Sequence, residues 1–275
     1  MTAVLPDGVD VVLEGIWKSF TRRDGREIRV LRDVGLAAAR GEFVSVIGPS
    51  GCGKSTLFGL VAGLLAPDAG SVAVVRDESH GRPDIAYMPQ RDLLLPWRSV
   101  RRNVTLPLEI RGMGVKEAER RADELFPVFG LDGFEDAHPF TMSGGMRQRA
   151  ALMRTVIQDA GVLLLDEPFG ALDSLTRSEM QDFLLEIWDR FRRTVIFITH
   201  DIREAIYLSD RIHVMTARPA TIRDTFEVPL PRPRRLEMIT SSAFVALEGE
   251  LLRALREETV HMHEQEASEG QEDVL

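Results

Sequence analysis

Several short stretches of this chain carry residue types whose spacing suits phosphate chemistry. Gly48-Pro-Ser-Gly-Cys-Gly-Lys-Ser55 follows an apolar run and fits G-x-x-x-x-G-K-[ST]. Glycines at 48, 51 and 53 let successive backbone N–H groups turn towards one anion, and a helix starting here adds its N-terminal partial charge. Lys54 brings a compact ammonium to the β- and γ-phosphates of a nucleotide, and the Ser55 hydroxyl suits a bridging Mg²⁺ ion. Pro49, Ser50, Cys52 and Thr56 complete the set expected to line the nucleotide, with Cys52 read as a small residue that fits the loop. Of 34 basic residues only Lys18, Lys54 and Lys116 are lysines, so a lysine at this position is not a product of composition.

Val162-Leu-Leu-Leu-Asp-Glu-Pro168 places Asp166 and Glu167 at the carboxyl end of a buried strand, where open α/β sheets bind their ligands. Asp166 is expected to hold Mg²⁺, directly or through water, and Glu167 to orient and deprotonate an attacking water. Phosphoryl transfer needs positioning and charge stabilisation more than covalent help, so these few groups suffice. Thr194–Thr199 delivers His200 to the same edge, within reach of a γ-phosphate. Gln90, after Asp84-Ile-Ala-Tyr-Met-Pro89, carries no specificity alone. Phe20 is equally a buried hairpin aromatic or a platform for adenine.

A second stretch, Thr141-Met-Ser-Gly-Gly-Met-Arg-Gln-Arg-Ala-Ala151, also looks built for phosphate, with Ser143, Gly144 and Gly145 ahead of a helical pattern. Taken alone it reads as a helix N-cap. One nucleotide does not need two such devices.

The elements that must position these residues alternate between strand and helix. Short β-type runs at Val11–Leu13 and Ile28–Leu31 flank the turn-prone Arg22–Arg26 and read as an antiparallel hairpin. Glu42–Ile47 is an apolar strand into the glycine loop, with a helix from about Gly53 to Ala62 and strands at Ser71–Val75 and Ile85–Met88. Residues from Arg98 to about Gln158 show helical periodicity and no strand. Beyond them come a strand at Val162–Leu165, a helix at Ser174–Phe191, a strand at Thr194–Thr199, a helix at Ile202–Leu208, a strand at Arg211–Met215 and a closing helix at Ala243–Arg256. Alternating βα units predict an α/β fold with a mostly parallel sheet core. To it are added an N-terminal antiparallel β subdomain and an inserted helical subdomain at about 93–158. The nucleotide-binding domain spans 9–257, and 258–275 is an acidic tail expected to be disordered. Val228-Pro-Leu-Pro-Arg-Pro-Arg-Arg235 reads as a solvated connector.

Composition narrows the function. A net charge of −9 argues against a protein built to coat nucleic acid. One cysteine excludes an internal disulfide and a cysteine-based zinc site. No apolar run approaches the roughly 20 residues of a membrane-spanning helix, and the first fifteen residues carry three acids and no base, unlike a signal peptide. Membrane contact is therefore expected only through a partner.

Together these residues resemble the ATP-binding subunits of ABC transporters, from about Val11 to Arg256. The order matches: Phe20, the loop Gly48–Ser55, Gln90, the signature Ser143-Gly-Gly145, Asp166 and Glu167, Ala171-Leu-Asp173, then His200. The resemblance implies a P-loop NTPase of ABC type that uses ATP and Mg²⁺, with Gln90 added to the metal and catalytic set. It gives Phe20 to the nucleotide base and Asp173 to nucleotide binding. It also implies two cassettes packed head to tail, the signature of one facing the phosphate loop of the other. Met146 in place of the common glutamine, Leu93–Val104 ("LLLPWRSVRRNV") and "LPRPR" (Leu230–Arg234) are similar to the importer branch for nitrate, sulfonates, taurine, bicarbonate and thiamine-precursor pyrimidines. That branch implies a permease docking near Gln90–Trp97 and an extracytoplasmic solute-binding protein, with the cassette peripheral on the cytoplasmic membrane face. The alternatives are a soluble cassette acting on DNA or ribosomes, and an exporter subunit. A small-molecule kinase with the same loop leaves Ser143–Gly145 and His200 unexplained.

Overall fold

The computed structural model describes residues 5–76, 81 and 83–272, with side chains as far as Glu258. Two long strands open the chain, β1 (Val9–Thr21) and β2 (Glu27–Ala39), followed by β3 (Phe43–Ile47), α1 (Lys54–Val61), β4 (Ala69–Val74) and β5 (Ile85–Met88). A run of helices comes next: α2 (Val100–Ile110), α3 (Val115–Leu125) and α4 (Gly144–Val156). Strands and helices then alternate through β6 (Val162–Asp166), α5 (Ser174–Phe191), β7 (Thr194–Ile198), α6 (Ile202–Leu208) and β8 (Arg211–Met215). β9 (Ile222–Glu227) and α7 (Ser242–Glu272) complete the described chain.

The chain divides into two compact units, Met1–Pro83 with Arg193–Leu275, and Asp84–Arg192. The helices expected as an insertion at about 93–158 lie within the second unit, which also takes in β5, β6 and α5.

In the first unit β1 is the middle strand of an antiparallel sheet of order β2-β1-β4. The expected hairpin is present, closed where Arg22 N donates to Arg26 O at 2.8 Å, but each strand runs for 13 residues. Register shifts at several points bend β1 against β2, which is how so long a ribbon stays twisted. The same unit holds the parallel core: β3 lies between β7 and β8, with Val46 opposite Ile198 and Ile47 opposite Val214. All five residues of β3 and of β7 are buried, as a strand covered on both faces requires. The edge strand β9, absent from the sequence reading, runs antiparallel to β8.

In the second unit β5 pairs in parallel with β6. Helix α5 is capped by Asp173, whose carboxylate accepts from Thr176 N at 3.1 Å. It buries Met180, Phe183, Leu184, Ile187 and Trp188 on one face and stops where Arg192 turns left-handed (φ 47°). Burial of each such side chain stabilises by about 1.5–3 kcal/mol, so the 3.6-residue spacing rather than propensity holds this helix.

Two expectations differ from the structure. Helix α7 continues to Glu272, through most of the segment expected to be a disordered tail; residues 273–275 lie outside the described chain. The Pro/Arg stretch is no solvated connector. Arg234 has a fully buried side chain, donating to the carbonyls of Leu230 and Ser209, and Arg232 binds Asp210 Oδ1 at 3.0 Å and Leu208 O at 2.6 Å. Carbonyls left open where α6 ends are acceptors, and the two guanidinium groups supply the donors that a Pro-rich backbone lacks.

Candidate functional site

In the first unit the glycine loop leaves the buried end of β3 and enters α1. Gly51 (φ 74°) and Gly53 (φ 126°) occupy backbone conformations that side-chain-bearing residues rarely adopt. Space is equally restrictive. A Cβ on Gly48 would lie 2.9 Å from Met215 O, and one on Gly53 would lie 2.8 Å from a Val30 methyl. Lys54 begins α1 and is only 7% exposed, yet its ammonium donates to Gly48 O at 2.8 Å and Pro49 O at 3.0 Å. A buried cation so placed, at a helix start with no acid in its first turn, gives the loop the charge that suits an anion. Ser50 and Ser55 are exposed at the mouth, and Thr56 is half-buried. Cys52 is buried, and that burial pushes its thiol up from its ordinary value against the pull of Lys54, which suits a packing role and not a reactive one.

The parallel pairing brings the carboxyl ends of β7 and β8 beside the loop. His200 follows β7, exposed, on a turn fixed by its neighbours. Thr199 Oγ1 donates to Glu204 Oε2 at 2.6 Å, Asp201 N donates back to Thr199 Oγ1 at 3.0 Å, and Asp201 caps α6. Phe20, on β1, is 41% exposed with the Lys18 ammonium 5.4 Å from its ring centre, which decides against a buried core aromatic.

In the second unit Asp166 ends β6, 7% exposed, and its Oδ2 accepts the Tyr87 hydroxyl at 3.1 Å. Tyr87's own burial and the Asp166 charge hold its phenol well above the ordinary pKa, so it stays a donor. Glu167 has φ 44°, a left-handed conformation that costs about 1 kcal/mol or more for a residue with a side chain. Its Oε2 accepts the Gln90 amide at 3.2 Å, and Gly170 lies over the pair, its Cβ position 3.8 Å from that oxygen. Gln148, on α4, donates to Pro168 O and so ties the signature helix to the turn after Glu167. Sequence reasoning missed Tyr87 and Gln148; the alternation along β5 pointed to Tyr87, whereas nothing local marked Gln148.

The signature starts α4. Ser143 Oγ accepts from Met146 N at 3.3 Å as an N-cap, and Ser143 and Gly144 are exposed. Gly145 answers a packing need, since a Cβ there would lie 2.9 Å from the Thr176 methyl of α5. Asp173 is exposed and held as a carboxylate chiefly by the Thr176 N–H, which lowers its pKa. The stretch after Gln90 is pinned from inside the unit. Asn103 binds Leu95 through both amide groups, Arg147 reaches Asp92 at 3.2 Å, and Arg154 donates to the Asp92 and Leu93 carbonyls. On that rigid stretch Leu93 and Trp97 are left 52% and 73% exposed.

Among the described residues no group of three or more His, Cys, Asp or Glu could enclose a metal. Ser55 of the first unit and Gln90 and Asp166 of the second each carry the kind of hard oxygen donor that Mg²⁺ takes. No helix among the described residues is long and apolar enough to cross a membrane.

The family model described as ABC transporter matches residues 31–170. The chain is 41% identical over 245 residues, 88% of its length and 94% of the relative's, to the aliphatic sulfonates import ATP-binding protein of Bacillus cereus. It is 41% identical over 227 residues, 82% of its length and 88% of the relative's, to the formylaminopyrimidine import ATP-binding protein of Halalkalibacterium halodurans. Among solved structures it resembles a dimeric ATP-binding cassette in a post-hydrolysis state bound to ADP and phosphate, with TM-score 0.68 and 29% identity over 80% of this chain and all of that one.

Proposed function

The chain belongs to the ATP-binding proteins of ABC transporters, and from that premise we propose that it is the ATP-hydrolysing subunit of an importer for a small solute. As a member of that family it binds and hydrolyses ATP. The observation that carries the proposal is the Gln90–Glu167 pair, which holds a carboxylate of strained backbone geometry beside an amide at the end of a buried strand.

In this reading Lys54 and the loop amides from Gly48 to Thr56 hold the nucleotide phosphates, and Phe20 meets the base. Ser55, Gln90 and Asp166 hold Mg²⁺, which when bound neutralises charge on the phosphate oxygens. Glu167 accepts a proton from the attacking water, Gln90 helps to orient that water, and His200 contacts the γ-phosphate. Ser143, Gly144, Gly145 and Asp173 serve a nucleotide held by a second copy, so the chain acts as a dimer whose closure on ATP and reopening after hydrolysis drive a permease. The dimeric neighbour supports the pairing, and the exposed Leu93 and Trp97 support a permease docking surface. The relatives' names support a sulfonate or a pyrimidine precursor as the solute. Nitrate, taurine and bicarbonate belong to the same proposed class, which would be taken up with an extracytoplasmic binding protein, the cassette lying on the cytoplasmic membrane face.

Isolation of tagged Glu167→Gln protein from its host's membranes with ATP present tests this. A polytopic membrane protein among the partners is expected. Ribosomal or DNA-repair proteins without any membrane protein would contradict the importer reading.

A further inference from the structure

The segment Met215–Thr221, from the end of β8 to the start of β9, runs along the phosphate loop, touches it at Gly48 and Gly51 and backs the residues packed against Gly53. Met215 O fills the place that a Cβ on Gly48 would need. The Arg218 side chain donates from Nε to the carbonyl of Gly51, and its Nη2 lies 3.3 Å from the Cβ position of that glycine. Ala220 N donates to Val30 O and Ala220 O accepts from Arg32 N, both at 2.9 Å, and Val30 and Leu31 are the side chains against Gly53. The segment is itself held firmly. Thr216 N donates to Thr221 O at 3.0 Å, and Thr221 N donates to Thr216 Oγ1 at 2.9 Å. Behind it Ala217 N donates to the buried carboxylate of Glu258 on α7, which is fixed in turn by Arg223 at 3.0 Å.

We infer that Arg218 is a positioning residue for nucleotide binding, acting through the Gly51–Cys52 peptide in the middle of the phosphate loop. The inference rests on the nucleotide reading of that loop given above. With glycine at 51 and 53 the loop has little torsional preference of its own, and its amides must be ordered before they converge on an anion. A guanidinium fixed to the Gly51 carbonyl sets that peptide plane from outside the loop, so less conformational freedom is lost when phosphate binds. Its charge also adds a second cation to Lys54 beside the loop, from a direction opposite to the Cys52 N–H, which donates to Pro49 O at 3.3 Å. Arginine suits this task better than lysine, because its planar fork holds a carbonyl in a defined direction.

The test is binding of a fluorescent ADP analogue to the full-length chain, with melting temperature and steady-state ATP hydrolysis measured alongside. ADP reads the loop without depending on a second copy. Arg218→Ala is expected to weaken ADP binding about tenfold, as loss of one charge-assisted hydrogen bond implies, and to raise KM for ATP far more than it lowers kcat. Arg218→Lys should recover only part of the affinity, since charge returns without the directed donor. Wild-type affinity in Arg218→Ala, or equal affinity in Arg218→Lys and wild type, would overturn the inference. So would a fall in melting temperature with KM unchanged, which marks a merely structural contact. The nucleotide reading fails separately, if the wild-type chain binds no ADP or Lys54→Ala binds it as well as wild type.

Discussion

Gln90 donates its side-chain amide to the Glu167 carboxylate at 3.2 Å, although the two residues are 77 positions apart and lie beyond the ends of adjacent strands. The amide fixes the direction of the carboxylate that the proposed function makes the base. A group that orients the base and the attacking water, rather than the nucleotide, should act in the transition state more than the ground state. Gln90→Ala is therefore expected to lower kcat about 10–100-fold with little change in KM for ATP. Steady-state kinetics checks it; a raised KM at unchanged kcat would make Gln90 a substrate-binding residue instead.

Tyr87 plays a supporting part for Asp166. Its hydroxyl donates to Oδ2 and so fixes the carboxylate that the proposed function gives to Mg²⁺. Partners that orient a metal ligand commonly matter 10–100-fold in metal affinity. Tyr87→Phe should raise the Mg²⁺ concentration for half-maximal hydrolysis several-fold while ADP binding without metal stays the same. An unaltered Mg²⁺ titration would show that Tyr87 only packs.

His213 sets an acid limit on stability. It is 5% exposed on β8, with Nδ1 on Thr225 Oγ1 at 2.8 Å and a buried Nε2 that has no partner. Burial, with Arg211 adding to it, pushes the imidazole down to about 4. Below the ordinary value near 6.5 the unfolded chain takes up a proton that the folded chain refuses until pH 4, so unfolding binds protons in this window. Stability therefore falls as pH drops from about 6.5 to 4, by an amount of order 3 kcal/mol. His213→Gln should lose less melting temperature than wild type between pH 7 and 5. Parallel loss in both proteins would place the acid sensitivity elsewhere.

Arg234 anchors the Pro/Arg segment and should do so at a measurable energy. Burial, with Arg232 nearby, brings its guanidinium down to about 10, still charged at neutral pH. Its truncation leaves the Leu230 and Ser209 carbonyls without their donor. Arg234→Ala is expected to destabilise by about 3 kcal/mol in denaturant titration. An unchanged midpoint would return the segment to the solvated connector its composition suggests.

What was legible in the sequence follows from the range of the forces involved. Helix α5 and strands β5 and β8 were readable to the residue, because one buried face or one apolar run reports itself locally. The phosphate loop was readable because three glycines, a lysine and a serine act within eight residues. β9 was not, since Ile222–Glu227 alternates half-buried and exposed residues along an edge, with polar groups on both faces. The full 13-residue length of β1 and β2 was hidden by their irregular register. Buried Arg234, the Arg218 contact with Gly51 and the left-handed Glu167 had no local signal. The first looks like a linker, the second spans 167 positions, and the third depends on a turn geometry that composition does not encode.

The central claim is that one copy's phosphate loop works with another copy's Ser143. Mixing two defective proteins tests it most directly. Lys54→Ala lacks the loop lysine and Ser143→Arg blocks the exposed signature, so each alone should be inactive. A mixed dimer holds one intact pairing, and equal random mixing should restore up to about a quarter of wild-type hydrolysis. Recovery of that size would establish the composite site. Full activity of Ser143→Arg alone, or no recovery on mixing two folded, nucleotide-competent preparations, would contradict it.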